Sequence, residues 1–152
     1  MRIVRTPEKY LLHFNQEEKL IWAEVLELYP RIPSAHQPLS KSGQLPDALA
    51  NQRLLDEALH EQRAWNKKQI QELRADPRRW AHTKSGLRLS LSRADVEWLL
   101  QVLNDIRVGS WILLGSPEDM EPKLNQGTFP LYWAMEMCDF FQSGLLKALG
   151  EE

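Results

Sequence analysis

Along this chain apolar positions recur at helical spacing in some stretches and alternate in others. After Asn15, the residues Leu20, Ile21, Val25, Leu28 and Tyr29 fall on one face of a helix that Pro30 closes. Asn15 is placed to cap it, and Glu17 and Glu18 suit its positive end. The longest periodic stretch, 47–76, gathers Leu54, Leu55, Ala58, Leu59, Trp65, Ile70 and Leu73 on one broad face and stops at Pro77. Gln62, Asn66 and Gln69 interrupt that stripe. Ser92-Arg93-Ala94-Asp95 has the form of a capping box, with Asp in the position usually held by Glu or Gln. It opens a core helix over 92–115 that turns Val96, Leu99, Leu100, Leu103, Ile106 and Leu114 inward and ends at Gly115. The last helix, over 128–149, starts near Pro130. Its apolar residues, from Leu131 and Trp133 through Cys138 and Phe141 to Ala148, span more than half its circumference. Such a helix is either central to the core or partly covered by a partner.

Residues 1–14 predict a β-hairpin, with Ile3-Val4 and Tyr10-Leu11-Leu12 on either side of Pro7-Glu8-Lys9. Leu87, Leu89 and Leu91 alternate with Arg88 and Ser90, a strand pattern that can join the hairpin. The stretch 31–46 holds Pro33, Pro38 and Pro46 and predicts a loop, and Ser116 to Gly127 predicts an acidic one. The expected fold is mainly α, a single domain over 1–152 with about four packed helices and a small two- or three-stranded antiparallel β-sheet.

Composition narrows the function more than the fold. At 152 residues, with 43% apolar and 26% charged, the chain can bury a core without disulfides or metals. The single cysteine, Cys138, lies in an apolar run and reads as a small buried hydrophobe. No signal-peptide core or membrane-length apolar run is present, so a cytoplasmic location and no membrane partner are expected. Glycine-rich phosphate loops and a Gly-x-Ser-x-Gly elbow are missing from the sequence. His13, His36, His60 and His82 are dispersed. Glu57 and His60 have the spacing of a di-iron ligand pair, but that chemistry needs a second such pair and two more carboxylates. No cofactor, metal or catalytic residue is assigned from this pattern.

Charge is bipolar along the chain although the net value is −2. Between Arg63 and Arg93 nine basic residues face only Glu72 and Asp76, whereas Ser116 to Glu152 holds seven acids and two lysines. Lys67, Lys68, Arg74, Arg78 and Arg79, with Trp65 and Trp80 interleaved, form a candidate basic surface. Nucleic-acid binding is one reading of it. The favoured reading pairs this surface with the acidic C-terminal region, because the isoelectric point is near 6.1.

The most distinctive segment runs from Trp98 to Arg107. A helical projection sets Arg107 between Val96 and Leu100, inside the apolar arc, with Asn104 one turn earlier. A guanidinium there must snorkel or be paired. Gln62, Asn66 and Gln69 on the long helix are the matching polar groups, so a buried network joining them to Asn104 and Arg107 is expected. It can be an orienting structural contact, a partner site, or an enzyme pocket around Asn104 and Arg107.

Trp98-Leu99, Leu103-Asn104-Asp105-Ile106-Arg107 and Leu114-Gly115 together resemble the core motif of a bacterial family, the domain of unknown function numbered two thousand and seventeen. The charged helix from Leu54-Leu55 to Asn66 and the closing helix from Leu131-Tyr132-Trp133 to Leu149 are similar to it as well. Val108-Gly109-Ser110-Trp111 departs from that family's more aliphatic and basic continuation. The resemblance implies a bacterial protein whose gene neighbourhood often includes that of ClpS, an adaptor that delivers substrates to a protease. The expected function is a non-catalytic protein-interaction or regulatory module linked to proteolysis, with a protein partner, which can be a second copy. Its partner surface is expected on the last helix or the acidic loop before it.

Overall fold

The computed structural model describes residues 1–33, 47–119, 121 and 123–150. Most of the loop expected over 31–46 and two positions of the acidic loop, 120 and 122, lie outside the described residues.

Strands β1 (Arg2–Arg5) and β2 (Tyr10–Asn15) form the expected antiparallel hairpin, with Arg2 opposite His13. Two further strands, β3 (Trp80–Thr83) and β4 (Gly86–Leu91), are joined by a tight turn. The sheet order is β1-β2-β4-β3. A mainly helical fold with a small antiparallel sheet is therefore correct, but the sheet has four strands rather than two or three. The missed strand is Trp80–Thr83. It is only four residues long and follows a basic run, so its alternation is too short to stand out. Strand β4 turns in close: a Cβ on Gly86 would lie 2.0 Å from the Phe14 carbonyl oxygen, so only glycine fits opposite Asn15.

Period-two patterning gives the sheet an inner and an outer face. Tyr10, Leu12, Phe14, Leu87, Leu89 and Leu91 are buried on the inner one. Leu11, His13, Arg88 and Ser90 alternate with them and are only partly covered.

The first helix, α1 (Gln16–Glu27), follows β2 without a loop. Asn15 Oδ1 accepts the Glu18 N–H at 2.8 Å, and Glu18 Oε1 accepts the Asn15 N–H at 3.0 Å. This reciprocal box satisfies two donors that a helix start leaves open. Long helix α2 (Ala48–Ala75) follows, then β3 and β4, then α3 (Arg93–Leu113). Ser92 and Asp95 form the capping box read from the sequence, and Gly115 has φ +93°, the left-handed value that ends a helix. The chain closes with α4 (Phe129–Gly150), whose Ala134, Cys138, Phe141, Leu145 and Ala148 are buried.

The core lies between the inner face of the sheet and α1, α3 and α4. Its centre is aromatic: Trp22 meets Phe141 edge-on at 5.0 Å and Phe14 at 5.3 Å. Among the described residues no helix is long and apolar enough to cross a membrane.

Candidate functional site

The polar groups that join α2 to α3 meet at the chain segment leaving α1, Tyr29 to Pro33. Burial lifts the Tyr29 phenol above its ordinary range, and its oxygen accepts Asn66 Nδ2–H at 2.8 Å. Gln62 donates to Asn66 Oδ1 at 3.2 Å, so the buried Asn66 uses both ends of its amide. From α3, Asp105 Oδ1 accepts the Arg31 N–H at 2.6 Å and the Ile32 N–H at 3.3 Å. Arg63 of α2 donates to the Ile32 carbonyl. One turn beyond Asp105, Gly109 lets the segment touch α3, because a Cβ there would sit 2.5 Å from the Arg31 carbonyl carbon. Backbone groups that neither helix nor sheet could satisfy are thus paired, as a half-buried segment requires.

That arrangement corrects the expected network. Asn66 and Gln62 belong to it, but Arg107 and Asn104 do not. Both are exposed, and Arg107 Nη2 donates to Asn104 Oδ1 at 3.0 Å within α3. Gln69 is half-buried on α2. The physical reason is a rotation of the buried arc. It takes in Trp98, Val102 and Gly109, which face α2 and the Tyr29–Pro33 segment, so Arg107 falls at its edge. A signal did exist: Asp105 and Gly109 are an acid and a glycine four residues apart on one helix side. A shallow cleft of about 320 Å³ beside Arg107, lined by Val108, Trp111 and Met135, is mostly apolar.

A second cluster surrounds Asp95. Its carboxylate accepts Arg79 at 2.6 Å, the Ser92 N–H at 2.9 Å and the Trp98 indole N–H at 3.2 Å. Burial alone would raise its pKa; the bonds from Ser92, Arg79 and Trp98 outweigh burial and hold it below the usual carboxylate range.

The candidate basic surface is largely neutralised. Arg74 meets Glu27 at 3.2 Å, Lys68 meets Glu72 at 4.0 Å, Arg78 meets Asp76 at 3.1 Å, and Arg79 is taken by Asp95. Lys67 is exposed. The acids come from α1, α2, the turn after it and the start of α3, not from the C-terminal region as expected.

What remains open is the first part of α2. All of its buried residues, Asn66, Ile70 and Leu73, lie beyond Trp65. Before them Leu49, Leu54 and Trp65 are 89%, 64% and 47% exposed. Leu54, Ala58 and Trp65 share a stripe at helical spacing, and Trp65 meets Trp98 edge-on, at 6.5 Å between centroids. A concavity of about 470 Å³ lies along Ala58, Glu61, Gln62 and Trp65. On α4, by contrast, exposed Phe129, Phe140 and Leu146 flank a helix that is mainly core.

Among the described residues no group of three or more His, Cys, Asp or Glu is placed to hold a metal ion. Glu57 and His60 are exposed on α2. Burial pushes the Cys138 thiol up to about 12, despite Arg107 and Arg31 nearby, so it stays protonated and unreactive at neutral pH.

No known family's sequence profile matches this chain, and no curated protein or solved structure matches it either.

Proposed function

We propose that the chain is a non-catalytic protein-interaction module whose docking element is the projecting part of α2. The observation that carries this reading is the exposed stripe of Leu54, Ala58 and Trp65 on a helix segment with no buried residue of its own. Apolar side chains lined up on a solvated helix favour a partner that removes them from water.

The occupant is a second copy of the chain, with the two α2 helices antiparallel. Glu57 and Glu61 flank the stripe in the projecting part, and Lys68 flanks it beyond Trp65. A twofold axis near the middle of α2 sets the acidic turns of each copy toward the basic turns of the other. The same axis brings Leu54 of each copy near Trp65 of its mate. The resemblance to the family found near ClpS supports a regulatory role tied to proteolysis for such a module.

Sedimentation equilibrium of the full chain over a range of concentrations tests this. A monomer–dimer equilibrium is expected, displaced toward monomer by Leu54→Glu, which leaves the fold intact because Leu54 is solvated. A chain that stays monomeric at every concentration, or a dimer indifferent to Leu54→Glu, would overturn it.

A further inference from the structure

Across the outer face of the sheet, two arginines flank a histidine with no acid between them. Arg2 on β1 lies opposite His13 on β2, and His13 lies opposite Arg88 on β4. Neighbouring strands are about 4.8 Å apart, so these side chains crowd one another. Protonating His13 would set like charges directly opposite one another, which destabilises a sheet. The crowding is felt at His13, whose pKa is lowered by partial burial and then by Arg2 and Arg88.

No acid among the described residues pairs with Arg2, Arg88 or Lys84. The Nε of Arg88 is shielded from solvent and has no hydrogen-bond partner among the described residues. A shielded guanidinium nitrogen without an acceptor costs stability, so an acceptor supplied from outside would relieve it. Beside this row opens a cavity of about 510 Å³, lined by Arg2, His13, Asn15, Thr83, Lys84 and Ser85 together with Met1, Phe14 and Glu18. The one carboxylate in its wall is already engaged: Glu18 accepts from the Met1 ammonium and from the Asn15 N–H. Its charge is thereby offset, and the rest of the lining carries two cations, Arg2 and Lys84, the His13 imidazole and the Thr83 and Ser85 hydroxyls, beside Met1, Phe14 and Asn15.

We propose that this cavity binds the phosphate group of a phosphomonoester, held by Arg2 and Lys84 of its wall and by Arg88, which stands outside the wall beside His13, with the Thr83 and Ser85 hydroxyls as further donors. Guanidinium groups match phosphate oxygens geometrically, and a dianion answers several cations at once. A carboxylate has one charge and fewer acceptor directions, so it fits the set less well. The site opens at the end of the sheet where β2 leads into α1 and is independent of docking through α2.

The test is an NMR titration of the His13 imidazole in the full chain, with inorganic phosphate and, separately, glycerol phosphate. Sodium chloride at matched ionic strength is the control for screening. The groups facing His13 are Arg2 from β1, Arg88 from β4, Lys84 from the turn between β3 and β4, and Glu18 from α1. A bound dianion stabilises the imidazolium, so saturation should raise the His13 pKa from its lowered value. Arg88→Gln and the exposed-turn variant Lys84→Gln should each weaken binding about tenfold, while Lys67→Gln should not. Saturation by glycerol phosphate alone identifies an ester as the ligand; saturation by both shows that the phosphate group suffices. A His13 response equal to that in chloride, or one produced by an oligonucleotide and by neither phosphate, would overturn the proposal. So would Lys84→Gln and Arg88→Gln variants that fold and bind unchanged.

Discussion

The two parts of α2 obey the same helical code and meet different fates. Beyond Trp65, Ile70 and Leu73 are buried, Asn66 is bonded to Tyr29, and the Trp80 indole N–H donates to the Leu73 carbonyl at 2.9 Å. Before it, Leu49 and Leu54 project into solvent. Periodicity makes a helix of both, but only complementary surface decides which part is held. The first part is therefore helix in search of a surface, and the second part is structure.

The largest expected contrast is between Leu73→Ala and Leu54→Ala. The former opens a cavity in the core and should cost about 2–5 kcal/mol in chemical denaturation. The latter, measured in dilute monomer, should change stability by less than about 0.5 kcal/mol. Equal losses would erase the distinction between the parts.

Gly109→Ala comes next, since its methyl would meet the Arg31 carbonyl. Forcing α3 away from the Tyr29–Pro33 segment should cost about 1–3 kcal/mol in the same measurement. A neutral effect would mean the clamp is looser than its contacts.

Of the same order is the loss from Asn66→Ala, about 1–3 kcal/mol, because the Tyr29 hydroxyl loses its buried donor while Gln62 remains. Arg107→Leu is the matching control on α3. Thermal melts should register the first and leave the second nearly unmoved, since Arg107 is exposed and, among the described residues, bonds the neighbouring exposed Asn104.

The smallest effect is a pH dependence. Asp95 is held below the ordinary carboxylate pKa in the folded chain. Its contribution is therefore fully present above the unfolded carboxylate value, about 3.9, and is lost as pH falls through the lower folded value. Melting temperatures followed downward from pH 5 should fall, and Asp95→Asn should flatten the part of that fall due to this group.

Much of the frame was legible in the sequence because local chemistry determines it. Asn15, Ser92 with Asp95, and Gly115 mark helix ends through short-range bonds, and Leu87, Leu89 and Leu91 alternate as a half-buried strand must. Cys138 is buried, as its apolar run implied. What failed depends on packing between distant elements. The inward arc of α3 is set by what covers Trp98 and Gly109, so projection alone placed Arg107 inside and passed over Asp105. The basic row on the sheet was equally hidden: Arg2, His13 and Arg88 are far apart along the chain and meet only through strand register. Their grouping follows from β2 pairing with both β1 and β4, which no local pattern encodes.

Backbone hydrogen exchange, read residue by residue along α2 at low and high protein concentration, tests the docking account most directly. The account predicts that protection of Asn66 to Ala75 is independent of concentration, whereas protection of Ala48 to Trp65 rises as copies associate. Protection of Ala48 to Trp65 that stays the same at both concentrations would contradict it.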